Sequence, residues 1–245
     1  MKRKRYLILV LCFALVLAAC SANIASTDNE PESSTQERTS FQEVPFSPQA
    51  GPYTEILSAL IAAHPWNDDP KSIVPEYPGL SYMYRRHDTL SNIGYDLIDL
   101  DGDGQQELIL SGMEAPFVYD LFTVKDGEVV QLFSSGERYY HTLLGNGYVE
   151  NSWSGSAVTT GHDFYRIEDG KLIFIERITL DAYHALDIGI AKDKSELTDE
   201  NTFFRSSTQN ESDYVLISAE EALELIEFYQ NQGKALEIQL TPLTE

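Results

Sequence analysis

Asp99, Asp101 and Asp103 put three carboxylates on alternate residues of one short segment, and Gly104, Gln105 and Glu107 follow directly. That order of residue types is the chemistry of a hard divalent cation. Ca²⁺ takes roughly six to eight oxygen ligands, and alternate side chains of a tight loop turn inward together to supply them. Asp99, Asp101 and Asp103 fill the first, third and fifth positions of such a loop. Gly104 takes the sixth, where a sharp turn needs a residue that tolerates positive φ. Gln105 follows as a backbone-carbonyl donor, and Glu107 is the remaining carboxylate. The twelfth position of a helix–loop–helix calcium hand is a bidentate Glu. Here it is Leu110, and the flanks are apolar and strand-like, so this is not a complete motif of that kind. The expected metal set is Asp99, Asp101, Asp103, Gln105 and Glu107, with Ca²⁺ as a structural cofactor that pins a hairpin. The competing reading is an acidic turn with no ion, in which the three carboxylates would repel one another.

The full run, from Tyr95 to Leu110, reads Tyr-Asp-Leu-Ile-Asp-Leu-Asp-Gly-Asp-Gly-Gln-Gln-Glu-Leu-Ile-Leu. Asp-x-Asp-x-Asp-Gly-x-x-Glu between two strands resembles the FG-GAP and integrin-propeller type of calcium loop. It also resembles a strand–loop–strand unit of uncharacterised exported proteins from Gram-positive bacteria. The resemblance implies a metal-binding, β-rich domain and says nothing of a substrate. The neighbouring repeats of a propeller do not accompany it.

Other chemistry-bearing residues are dispersed. The five histidines, His64, His87, His141, His162 and His184, have no spacing typical of a zinc site. His162-Asp163 could be half of a triad, but no Gly-x-Ser-x-Gly nucleophile motif goes with it. Trp153-Ser154-Gly155-Ser156 reads as a loop. Arg85-Arg86-His87-Asp88 is the one basic cluster in an acidic body, expected to pair with carboxylates or to meet a ligand anion. The chain carries 14 Tyr, 11 Phe and 2 Trp. Tyr139, Tyr140, Tyr148 and Trp153 lie close together and read either as cross-strand core pairs or as a sugar- or peptide-binding face. A hydrolase acting on cell-wall or carbohydrate polymers would need two carboxylates, such as Glu114, Glu137 and Glu150, to converge about 5–10 Å apart. An accessory subunit of an envelope complex would need an exposed apolar patch.

The start of the chain addresses where this chemistry takes place. Lys2-Arg3-Lys4-Arg5 is a positive n-region, residues 6–16 an apolar h-region, and small residues precede Cys20. These are the marks of a secretory signal, too short for a spanning helix. Leu17-Ala18-Ala19-Cys20 resembles the bacterial lipobox, which implies that Cys20 is diacylated and becomes the first mature residue. The expected location is the extracytoplasmic face of the cell membrane, with the lipid as anchor. The chain has 17 Lys and Arg against 39 Asp and Glu. Losing residues 2–5 leaves 13 against 39, a net charge of −26. Such a surface repels nucleic acid and anionic headgroups, so nucleic acid is excluded as a partner. An envelope protein or a glycan remains an open ligand. The two cysteines, Cys12 and Cys20, lie in the leader and at the lipid site. The folded part therefore relies on its core, and on metal, instead of disulfides.

Residues 1–19 are read as the leader, 20–50 as lipidated Cys and disordered tether, and 51–245 as a single α+β domain. Ile56, Leu57, Leu60 and Ile61 share a helical stripe that His64-Pro65 ends. Strand texture runs through 94–100, 107–111, 117–124, 128–133, 139–144, 148–152, 162–167 and 171–178. Asp126-Gly127, Asn146-Gly147 and Asp169-Gly170 are two-residue hairpin signals. Residues 119–127 and 162–170 echo each other, as a duplicated blade or as a shared hairpin form. Residues 67–78 read as loop, 80–85 as a short helix or strand, and 195–200 as the start of a short helix. Ser218 and Glu221 form a capping box for a helix ending near Gly233, and 236–240 alternates as a last strand. The expected fold is a curved antiparallel β-meander with one N-terminal and one C-terminal helix packed on it.

Overall fold

The computed structural model describes residues 48–64, 80–115, 117–232, 236 and 238–243. The expected leader, Cys20, the tether as far as residue 47, loop 67–78 and the Gly233 cap lie outside these residues. The described chain is α+β and follows the expected plan, an antiparallel meander with a helix at each end. The helices are α1 (Thr54–Ala62), α2 (Ala182–Asp187) and α3 (Ala219–Gln230).

The meander divides into two open sheets. The first holds β1 (Ile93–Ile98), β2 (Glu107–Gly112), β3 (Asp120–Lys125), β4 (Glu128–Ser134) and β11 (Thr241–Pro242), in the order β11-β1-β2-β3-β4. The second holds β5 (Tyr139–Gly145), β6 (Tyr148–Ser156), β7 (Thr159–Glu168), β8 (Lys171–Asp181), β9 (Phe203–Ser206) and β10 (Val215–Ile217), in the order β10-β9-β8-β7-β6-β5. Three hairpins close on the expected turns. Asp126, Asn146 and Asp169 adopt φ of 53°, 51° and 51°, each followed by a positive-φ glycine. This is the pairing that a right-twisted two-residue hairpin demands. The echoing segments become β3–β4 and β7–β8, one hairpin in each sheet, and Lys125 Nζ donates to the Asp169 carbonyl at 3.1 Å.

Strand alternation sorts the apolar residues into three cores. Leu108, Leu110 and Phe122 face α1, where Tyr53, Ile56, Leu57 and Leu60 are buried with them. Ala50, assigned to the tether by composition, is 1% exposed in this core. Ile109 and Leu121 point the other way and pack with Leu143, Val149 and Ile167 of the second sheet. The far face of the second sheet buries Leu144, Phe164 and Ile178 under Ala222, Leu225, Ile226 and Tyr229 of α3. The layers are thus helix, sheet, sheet, helix.

Ser218 caps α3 as expected, its Oγ accepting from Glu221 N at 3.1 Å. The Glu221 carboxylate reaches Arg205 at 3.7 Å. Residues 82–86 form a 3₁₀ turn, and another covers Lys194–Glu196. The last strand sits later than expected. The described part of 236–240 is not strand, and pairing begins only where Gly94 and Tyr95 meet Pro242 and Thr241. The alternation there serves packing instead, since Leu236 and Ile238 cover the inter-sheet core. Among the described residues no helix is long and apolar enough to cross a membrane.

Candidate metal centre

The acidic segment is the connection between β1 and β2. Ile98 pairs with Glu107, and residues 99–106 form the loop between them. Gly102 and Gly104 adopt φ of 82° and 90°, where a side chain would be strained. The two glycines fold the backbone onto the carboxylates. Asp99 accepts from Gly102 N at 2.8 Å and from Gly104 N at 3.0 Å. Asp101 accepts from Asp103 N at 3.3 Å, and Asp103 from Gln105 N at 2.7 Å.

Of the five expected ligand residues, the fold brings three carboxylates together. Oxygens of Asp99, Asp101 and Glu107 all lie within 4.8 Å of one another. The Asp103 carboxylate turns to Gln105 N, and the Gln105 side chain donates to the Val124 carbonyl of β3. Glu107 differs in kind from the others. It is 1% exposed, and its carboxylate accepts from Leu100 N at 2.9 Å and from Thr123 Oγ1 at 3.0 Å. Burial pushes its pKa up to about 7, against the pull of those two donors. Asp101 is also raised, by burial first and by the nearby Asp103 charge second. The donor set is oxygen-only and dominated by carboxylates. It therefore suits a hard cation such as Ca²⁺ or Mg²⁺ rather than a soft one.

The loop also touches both sheets. Leu100 is buried in the inter-sheet core beside Leu143, Val149 and Ile167. Asp101 lies against the β5–β6 turn, where a Cβ added to Gly147 would come within 3.5 Å of the Asp101 Cβ. Tyr53, just before α1, donates to the Gln106 carbonyl at 2.6 Å. Burial, with the Glu107 and Asp103 charges beside it, raises the Tyr53 phenol and keeps it protonated as a donor.

Other candidate residues take different places. His162 and Asp163 are neighbours on β7, so they point to opposite faces and are not two members of a triad. His162 Nδ1 lies 2.6 Å from Glu150 Oε1, while Asp163 is paired with Arg177. Ser152 Oγ approaches the same His162 Nδ1 at 3.4 Å. A hydrolytic triad needs its nucleophile on the other ring nitrogen, so this trio is not one. Glu150 is also held by both Gln230 contacts, at 3.2 and 3.0 Å. Burial pushes its pKa up, but the hydrogen bonds outweigh it and the net shift is downward. Glu137 pairs with Arg86 at 3.2 Å, the basic cluster finding its carboxylate.

Three polar groups are buried in surroundings that the sequence did not signal. Asp120 is fully buried on β3 and accepts from Tyr84 OH at 2.6 Å, Ser81 N at 3.1 Å and Gln131 Nε2 at 2.8 Å. Burial pushes it up to about 6 in spite of these donors. Asp163, 3% exposed at the side chain, takes Arg177 Nε and Nη2 at 2.7 Å each. Asn151 lies between His141 and Asp163 in the strand register. Alternating polar residues in a strand read as a solvent face, and only the assembled sheet shows that these are covered. The chain has no match among known protein families, curated proteins or solved structures.

Proposed function

We propose that the protein is an extracytoplasmic lipoprotein, anchored through a diacylated Cys20, whose folded part is a binding or structural module with one structural calcium loop. The observation that carries the calcium reading is the meeting of the Asp99, Asp101 and Glu107 carboxylates within 4.8 Å. Glu107 lies beneath the loop, and the loop rests on both sheets. A cation there would balance three charges that otherwise repel, and would tie the β1–β2 hairpin to the inter-sheet core. The motif order Asp-x-Asp-x-Asp-Gly-x-x-Glu and the leader ending in Cys20 support the same reading from sequence.

Thermal melting of the full chain in detergent tests the metal. With about 5 mM CaCl₂, a site with a Kd of about 0.1 mM gains on the order of 2 kcal/mol over the protein in excess EDTA. The double variant Asp101→Ala/Asp103→Ala should lose that gain. Equal melting temperatures for the parent chain in the two media would remove calcium from the reading. Cys20→Ser tests the anchor. It should release the protein from the membrane fraction, and retention there would remove the lipid.

A further inference from the structure

β10 is a free edge of the second sheet. The direction of its backbone groups follows from the ladder. Asp181 N donates to the directly opposed Thr202 carbonyl at 2.8 Å, so Thr202 and Phe204 turn their backbone groups towards β8. Phe203 and Arg205 therefore turn theirs to Ile217 and Val215 of β10. Leu216, between those two, points its N–H and C=O away from the sheet, and neither has a partner among the described residues. Two other edges are closed. On β1, Leu97 N donates to the Asp96 carboxylate at 2.8 Å, and the Leu97 carbonyl accepts from Gln106 Nε2 at 3.0 Å. On β5, His141 N donates to Ser135 Oγ at 3.1 Å, and the His141 carbonyl accepts from Val118 N at 2.9 Å.

The side chains leave the β10 edge apolar. Proteins ordinarily guard an exposed edge with a charge, a proline or a bulge. Val215-Leu216-Ile217 has none of these, and its pairing with β9 is regular. Val215 is 60% exposed and Leu216 42%, on opposite faces of the sheet. Leu216 stands opposite Phe204, whose ring is flanked by Tyr214 at 5.7 Å and His184 at 4.9 Å. Charge is confined to the two ends of the strand. Glu211 and Asp213 precede it, Glu220 and Glu221 follow it, and all four are exposed. Arg205, the cation on the neighbouring strand, is paired with Glu176 and reaches Glu221 at 3.7 Å.

The complement of a short apolar edge between two acidic ends is an extended chain, apolar at its centre and basic on either side. We propose that such a segment of a partner protein adds to β10 as a seventh strand of the second sheet. It exchanges two backbone hydrogen bonds with Leu216, packs apolar side chains against Val215 and Leu216, and sets Lys or Arg against the acidic pairs. The backbone bonds fix the register, and the charges choose the partner. A second copy of this chain is a poor occupant, because both ends of β10 are acidic and any pairing of two copies opposes like charges. The edge gives the binding module a partner class and uses none of the calcium-loop residues, so the two readings fail separately.

Isothermal titration of the full chain in detergent tests it, in EDTA and in CaCl₂. The probe is the end-capped peptide Lys-Lys-Thr-Val-Ile-Val-Thr-Lys-Lys, with Glu-Glu-Thr-Val-Ile-Val-Thr-Glu-Glu as its charge-reversed control. The basic peptide should bind and the acidic one should not. Leu216→Pro removes the outward N–H and leaves the β9 ladder in place, since proline is tolerated where an edge N–H faces solvent. It should weaken the basic peptide about tenfold, the order that one or two net hydrogen bonds supply. Leu216→Lys keeps the backbone groups, adds a like charge and should weaken it by a similar factor. Circular dichroism of both variants should match the parent. Absence of binding of the basic peptide at millimolar concentration overturns the proposal, as does equal binding of the two peptides or affinity unchanged in both variants. A parent dimer in sedimentation that Leu216→Pro dissolves would assign the edge to a second copy, and also overturns it. A calcium-dependent melting shift without peptide binding would leave the metal reading standing alone.

Discussion

Glu107→Gln separates the two opposing demands on the buried carboxylate. In the metal-free protein the charge is a burden. Glu107 is 1% exposed and its pKa is held near 7 by burial, against 4.5 for an ordinary Glu. A folded-state pKa above the unfolded value means that this group's contribution is most favourable below about 4.5 and is lost as pH rises through 7. The roughly 300-fold difference in proton affinity corresponds to about 3 kcal/mol at pH 8. Glutamine removes the charge at constant shape. Its carbonyl can accept from Leu100 N, while Thr123 can reverse its hydroxyl to accept from the new amide. Imperfect amide geometry will return part of the gain, so about 1–2 kcal/mol is expected. For a domain of this size that raises the melting temperature by roughly 3–6 °C in EDTA at pH 8. The gain should shrink towards zero at pH 4.5. In CaCl₂ the parent chain rises by about 2 kcal/mol and the variant does not respond, because a ligand is gone. A variant that melts below the parent in EDTA at pH 8 would refute the burial argument. A variant that keeps the full calcium response would refute the assignment of Glu107 as a ligand.

Three further substitutions test the scaffold. Arg177→Met strands the Asp163 carboxylate in the second sheet and should cost about 3–5 kcal/mol by urea denaturation, most of it recovered in Arg177→Met/Asp163→Asn. Ser218→Ala removes the α3 cap and should lower stability by about 1 kcal/mol without altering the calcium response. Asp120 and His141 oppose each other in acid. Asp120, raised to about 6, contributes stability fully present below 3.8 and lost as pH rises through 6. His141, lowered to about 4, contributes stability present above 6.5 and lost as pH falls through 4. Each is worth about 3 kcal/mol, so Asp120→Asn should lose stability between pH 6.5 and 4 far more steeply than the parent chain. Parallel curves would deny that the Asp120 carboxyl is raised.

What could be read beforehand was whatever short-range chemistry determines. The turns at Asp126-Gly127, Asn146-Gly147 and Asp169-Gly170 each require positive φ, and few residue pairs adopt it so cheaply, so the hairpins were legible. So was α3, because Ser218 and a 3.6-residue apolar stripe are local signals. Long-range decisions were not. The division into two sheets falls between Ser134 and Tyr139, where Ser135-Gly136 signals a turn but nothing local says that the chain changes sheet there. β9 and β10 have four and three residues, too few for a period to show. In 236–240 the alternation was real, but it recorded burial of Leu236 and Ile238 rather than pairing. At the acidic loop the spacing identified the carboxylates, while the burial of Glu107 depended on Thr123, a strand away.

Leu100 and Asp101 show why an ion here would act on the whole fold and not on a turn alone. Consecutive residues of the loop, they point different ways. Leu100 is packed between the sheets, and Asp101 faces Asp99 and Glu107 while its own Cβ leans on the β5–β6 turn. Leu100 N is also the donor that holds Glu107. One backbone segment therefore carries an inter-sheet core residue, a candidate ligand and the hydrogen bond that fixes a second candidate ligand. Repulsion among three carboxylates would loosen that segment, and with it the Leu100 anchor. A bound cation would remove the repulsion and hold Leu100 in register with Val149 and Ile167. The calcium response is accordingly expected in the cooperative melting of both sheets. A signal confined to the loop would mean that Leu100 does not transmit it.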